Sequence, residues 1–193
     1  MTRFELHVSR WKDCTSCPLH EGRTHVVFAR GSIPCDVLFI GEAPGVSEDA
    51  LGQPFVGPAG KLLDGIIRQA IGDKSYALTN LVGCYPKEEK DAGTNEPPNV
   101  AIKACSKRLK EFVRMCEPNL IVLVGKLAKR HVYGAAQFRL DDEAEQPEWI
   151  PEGKFLNFVE LVHPAAILRG NIAQRGLMLQ RAVVTLSNAV DEI

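Results

Sequence analysis

Three stretches of this chain carry residue types able to do chemistry. They are the glycine-, proline- and acid-rich run 41–60 (GEAPGVSEDALGQPFVGPAG), the pair Thr79-Asn80, and the segment 163–169 (HPAAILR). Phe55 offers an aromatic face, Asn80 an amide with adjacent donor and acceptor, and His163 an imidazole. Brought together, they would line a flat pocket. A nucleobase fits that description, being flat, edged with donors and acceptors, and bearing carbonyl oxygens that an imidazole can stabilise. Each residue also has a plainer use. Gly41, Gly45, Gly57 and Gly60 serve as turn residues, Phe55 as core, Asn80 as partner to a strand-end backbone group, and His163 as a structural histidine before proline. A loop as long as 41–60 inside a compact domain is nevertheless usually functional.

The elements that must position these residues follow from apolar patterning. Short continuous apolar runs, the signature of strands covered on both faces, fall at 36–41, 76–83, 119–124 and 156–162. Helical patterns lie at 60–71, 99–115, 125–133 and 172–191. This alternation predicts an α/β fold, a three-layer α/β/α sandwich with a mainly parallel four-stranded central sheet. Ligands of such sheets gather beyond the carboxyl ends of the strands. Gly41, Asn80, Gly125-Lys126 and His163 all lie at or near those ends. Segment 139–153, acidic and polar, reads as a surface excursion without chemistry.

Composition sets bounds. At 193 residues the chain is long enough for one well-formed core, and a single domain spanning 1–193 is expected. A net charge of −1 means that any nucleic-acid partner must be met by a local patch. No apolar run reaches the roughly 18 residues needed to cross a bilayer. The opening MTRFELHVSRWKDC has no apolar signal core, so a cytoplasmic location and no membrane partner are expected. Of the six cysteines, only Cys14 and Cys17 form a CxxC, and without a secretion signal disulfides are not expected.

The run 41–60, with its GEAPG, Glu48-Asp49, GQPFVG and Ala59-Gly60, resembles the first motif of family 4 uracil-DNA glycosylases. Thr79-Asn80 resembles the strand carrying that family's uracil-reading asparagine, and HPAAILR its second motif; the resemblance spans about residues 11–190. It implies hydrolysis of the N-glycosidic bond of uracil in DNA by a monofunctional enzyme of base-excision repair. The partner would be single- or double-stranded uracil-containing DNA, bound by a monomer. It also implies a 4Fe–4S cluster on Cys14, Cys17, Cys84 and Cys105, four thiolates being what such clusters require. Zinc is the alternative for the same donor set. Cys35 and Cys116 then remain as small core residues.

Carried over residue by residue, the resemblance has Phe55 stacking on a flipped base and Asn80 donating to uracil O4 while accepting from N3–H. His163 would stabilise the O2 oxyanion, helped by main-chain N–H groups near Glu42, with Gly41 and Ala43 also lining the substrate. Glu42 is the candidate for placing or polarising water, since Ala43 stands where another glycosylase family has an aspartate. Glu48 resembles the residue that crowds the C5 edge and excludes thymine; an acid there also serves as a cap. Ile167 and Leu168 would fill the gap left by the base, and Arg169 would contact phosphate. Gly125-Lys126 would offer helix N–H groups to another phosphate, with Lys129 and Arg130 adding charge or merely forming a solvated face.

The chain also departs from the family pattern. Residues 85–104 (YPKEEKDAGTNEPPNVAIKA) are longer and more acidic than a CRPPxNR-type loop and lack its arginines, which puts cluster-side DNA contacts and substrate preference in question. The loop has no histidine, against the chemistry of a related subgroup that crosslinks to uracil-containing DNA. Two other readings stand beside the leading one: a relative acting on a different modified base, and a non-catalytic iron–sulfur DNA-binding protein.

Overall fold

A computed structural model describes residues 1–87, 96–135 and 156–193, the side chains of 133–135 excepted. The whole of the 139–153 excursion and the centre of the acidic 87–99 loop lie outside the described residues.

Four apolar runs form parallel strands, β2 (Val37–Gly41), β3 (Tyr76–Asn80), β4 (Leu120–Val124) and β5 (Asn157–Leu161). A fifth, β1 (Arg30–Gly31), pairs antiparallel with β3 at the edge, giving the order β1-β3-β2-β4-β5. Among the described residues the sheet thus has five strands rather than the expected four. Two residues are too few to generate any apolar period, so β1 left no signal in the sequence.

Helices cover both faces. Alternation along β2 sends Leu38 and Ile40 toward α4 (Asn99–Cys116) and α5 (Lys126–Ala135), where Ile102, Phe112, Val113, Leu127 and Val132 pack on them. Val37 and Phe39 face the opposite layer, built from α3 (Pro58–Ala70) and α7 (Ile172–Asp191) through Leu63, Ile66, Ile67, Ala182 and Leu186. Both faces being covered explains why β2 and β4 are apolar at every position rather than at alternate ones. The three-layer α/β/α sandwich is as expected. Cys35 and Cys116 are buried in the first of these cores, with the Cys35 N–H donating to the Cys116 carbonyl at 2.9 Å.

Three short α-helices were not anticipated. Helix α1 (Arg3–Trp11) starts on a Thr2–Glu5 capping box and packs on α4. Helix α2 (Val46–Leu51) occupies the middle of the glycine-rich run, and α6 (Pro164–Arg169) makes HPAAILR one and a half turns of helix rather than a loop. Strand β3 stops at Asn80, in register with Gly41. The chain then turns, with the N–H groups of Leu81 and Val82 donating to the carbonyls of Gly41 and Glu42 at 2.9 and 3.3 Å. Glycine and asparagine therefore end adjacent central strands side by side.

Candidate active site

The run 41–60 is held by its acids and by one arginine. The Glu48 carboxylate accepts N–H groups from Gly45, Val56 and Gly57 at 3.1, 2.9 and 2.7 Å. These bonds are those of a cap, drawing the two halves of the loop together around α2. Buried Asp49 accepts from the N–H groups of Thr24 at 2.9 Å and His25 at 3.3 Å, fastening the loop to the N-terminal segment. Arg30 on the edge strand donates to the carbonyls of Pro54 at 2.9 Å and Phe55 at 3.2 Å, and pairs with Asp64 of α3 at 2.5 Å. Phe55 sits between these fastenings at φ 56°, a left-handed conformation costing a non-glycine residue about 1–2 kcal/mol. That cost is sustained because the flanking backbone is clamped on both sides.

The clamp aims the ring. A methyl group at Gly41 would lie 2.4 Å from Phe55 Cζ and 2.5 Å from Asn80 Oδ1. Only glycine at 41 therefore lets the ring edge and the carboxamide meet at the end of β2. Asn80 is 3% exposed, and its backbone carbonyl accepts from Arg108 Nη2 at 2.6 Å. Its neighbour Thr79 donates Oγ1–H to the Phe28 carbonyl at 2.8 Å. Aromatic face and amide are thus brought together as the residue types suggested.

His163 caps α6. Its Nδ1 accepts the N–H of Ala165, so Nε2 carries the ring proton. Burial first, and then the positive charge of Arg169, push its pKa below the ordinary value, leaving a neutral ring that donates from Nε2. Gly125, at φ 97°, makes room beneath it: a methyl there would come within 3.1 Å of His163 Cβ. Glu42 is half-buried, and Ala43 beside it likewise. Burial, with the charge of Glu96 adding to it, raises the Glu42 carboxyl above the usual carboxylate range, while Arg169 pulls the other way. The shared influence of Arg169 puts Glu42 and His163 in one electrostatic neighbourhood.

The expected DNA-facing set is only partly at the surface. Ile167 is 2% exposed and packed in the core with residues of α3 and α7, so it is unavailable as a wedge; the apolar side of a helix turn, invisible in a seven-residue motif, claims it. Leu168 is half-buried and Arg169 exposed. Arg175 of α7 braces this turn, donating to the carbonyls of Leu168 and, at 2.7 Å, Gly170. Lys126 is exposed at the first residue of α5, directly after Gly125. Lys129 pairs with Glu160 at 2.6 Å, which places it on a charge-compensated helix face.

Cys14, Cys17, Cys84 and Cys105 line one small cavity together with Trp11, Arg23 and Arg108. Burial raises the Cys17 and Cys84 thiols, and the neighbouring cysteines raise them further, as expected of thiols close enough to repel as thiolates. Arg23 bridges the group, its Nη1 donating to the Cys14 carbonyl at 2.6 Å and lying 3.5 Å from Cys84 Sγ. Among the described residues no three His, Cys, Asp or Glu side chains are drawn into ligating geometry. The donor set nonetheless fits a soft metal centre, with four sulfurs from three separate segments, an apolar wall and an adjacent guanidinium.

Arg23, Arg30 and Arg108 escaped the sequence reading, and Asp49 entered it only as part of a motif. Each acts through partners between 24 and 61 residues away, apart from Arg23's nearer bond to Cys14, so no local pattern announces them.

Comparison with known proteins adds to this geometry. The family model described as the uracil DNA glycosylase superfamily matches residues 28–187. The type-4 uracil-DNA glycosylase of Thermotoga maritima is 32% identical over 168 residues, covering 86% of this chain and 83% of that protein. That of Saccharolobus solfataricus is 30% identical over 174 residues, with coverages of 87% and 78%. That of Archaeoglobus fulgidus is 29% identical over 160 residues, with coverages of 80% and 78%.

Proposed function

This chain belongs to the uracil DNA glycosylase superfamily, and we propose that it is a monofunctional uracil-DNA glycosylase of base-excision repair, acting as a monomer on single- or double-stranded DNA. The observation that carries the reading is the meeting of the Phe55 ring and the Asn80 carboxamide over the bare Cα of Gly41.

The target base must leave the stack before it can be reached. Phe55 then stacks on its face, and Asn80 donates to O4 and accepts from N3–H. Cytosine presents the reverse edge and is refused. The bond between N1 and C1′ breaks heterolytically, its electron pair leaving with uracil, and the sugar becomes oxocarbenium-like. Neutral His163 donates Nε2–H to the developing O2 oxyanion, a contact worth about 3 kcal/mol when preorganised. Water placed by Glu42 adds to C1′, and its proton passes by way of the carboxylate to solvent. Main-chain groups at Gly41 and Ala43 complete the wall, while Glu48 keeps the loop in shape. Leu168 fills the vacated stack; Arg169 and the start of α5 at Gly125-Lys126 hold phosphates.

Cys14, Cys17, Cys84 and Cys105 would hold a 4Fe–4S cluster, with zinc as the other metal suited to four thiolates. When bound, it ties the N-terminal segment to α4 and does no chemistry on the base.

The deciding test is Asn80→Asp in a gel assay with a uracil-containing oligonucleotide followed by alkali. A carboxylate faces O4 with lone pairs, so excision should fall at least about tenfold and up to about a thousandfold. Excision at the wild-type rate would sink the assignment of Asn80 as the base-reading residue.

A further inference from the structure

Arg108 lies on α4, 2% exposed, yet among the described residues no carboxylate forms an ion pair with it. A guanidinium is permanently charged, and burying one without compensation is costly. Two features say where its compensation lies. On one side Nη2 donates to the carbonyls of Asn80 at 2.6 Å and Leu81 at 3.3 Å. On the other, Nε is buried without a partner among the described residues, and the side chain lines the same cavity as the four thiols. Cys105 and Arg108 stand one helical turn apart, so α4 presents thiol and guanidinium on the same face.

The nearby acid is already committed. Glu111 accepts from Trp11 Nε1 at 2.7 Å and from Arg10 Nη1 at 2.9 Å. Four thiolates around either zinc or an iron–sulfur core leave a net negative charge, which is what a buried guanidinium lacks.

We propose that Arg108 is a positioning residue that couples the thiolate site to the base-reading end of β3. Its charge is balanced by the metal-bound thiolates, and its Nη2 holds the Asn80 and Leu81 carbonyls so that the Asn80 carboxamide is aimed from a fixed backbone. The proposal rests on the reading of Asn80 given above.

The test uses the metal-loaded full chain with Arg108→Lys and Arg108→Gln. Amide hydrogen exchange should accelerate about tenfold or more at Leu81 and Val82 in both variants, with Leu120–Val124 unchanged. In both, kcat on the uracil oligonucleotide should fall about tenfold with KM unaltered, since the Asn80 contact serves the transition state. Only Arg108→Gln, which lacks the charge, should lose metal to EDTA several-fold faster than wild type. Wild-type exchange and kcat in both variants would overturn the proposal, while loss of activity in Asn80→Asp would leave the base reading intact. A fully active Asn80→Asp would fell the base reading instead, and the exchange and EDTA arms would still judge Arg108. Should neither variant accumulate folded, stripping metal from the wild-type chain must accelerate exchange at Leu81 and Val82 more than in β4. Equal acceleration there would end the proposal.

Discussion

His163 Nδ1 accepts the backbone N–H of Ala165 at 3.2 Å, and that one bond leaves Nε2 as the donor nitrogen of the neutral ring. With the pKa pushed below 6.5 by burial and by Arg169, no proton need be gained to reach this state. His163→Ala should lower kcat about 10²–10³-fold while leaving DNA affinity nearly unchanged, because the contact strengthens only as charge develops on O2. Single-turnover rates beside equilibrium binding check both halves. A fully active variant would return His163 to a purely capping role.

Glu42 predicts the acid limb of the pH profile. Its folded pKa is raised above 4.5, so the ionised form needed to place water is lost at a higher pH than for an exposed glutamate. The rate should therefore fall as pH drops toward and through that raised value. Glu42→Gln should be slow and should lack this limb. A wild-type profile flat to pH 4.5 would refute the assignment.

Gly41→Ala is the smallest change that should close the pocket. The added methyl would meet Phe55 Cζ at 2.4 Å and Asn80 Oδ1 at 2.5 Å, both inside contact distance. Expelling either group from its position should cost about 1–3 kcal/mol in the folded chain, as overpacking does. Uracil excision should drop by about a hundredfold or more, the equivalent of roughly 3 kcal/mol in the transition state. Kinetics together with thermal melting will separate the two effects. Unchanged kcat would mean that ring and amide do not act where they meet.

The thiol cavity predicts a coloured protein. Purified chain should absorb broadly in the visible, contain iron, and bleach when the cluster is destroyed, with loss of thermal stability because Cys14 and Cys17 are then released from Cys84 and Cys105. Colourless protein with one zinc per chain and no iron would rule out the cluster in favour of the alternative metal.

His7 predicts sensitivity to acid. It is buried between α1 and α4 against Phe4, Phe28 and Phe112, and burial, followed by the charge of Arg108, lowers its pKa from 6.5 to about 4. The unfolded chain therefore binds more protons than the folded one between these values. Stability is fully present above pH 6.5 and is lost as pH falls toward 4, by up to about 3 kcal/mol. Denaturant melts of wild type and His7→Phe across this window should differ in slope. Parallel curves would remove His7 from the account.

Why some of this was legible and some was not follows from the range of the forces involved. Strands β2 to β5, the long helices and the glycine-rich run are written locally, in unbroken apolar runs, 3.6-residue periods and turn residues, so the sandwich and the rim bearing Gly41, Asn80, Gly125 and His163 can be read from the chain alone. Tertiary structure decided the rest. Ile167 and Leu168 are adjacent apolar residues with equal claims to the wedge, and only the packing of α6 on the core buries one and leaves the other half-exposed. The bonds that fix Arg30 as the clamp on Phe55 and Arg108 as the donor to the Asn80 carbonyl join residues 24 to 34 apart in the chain. A hydrogen bond across such a separation depends on where folding brings the backbone, and no short window of sequence carries that information.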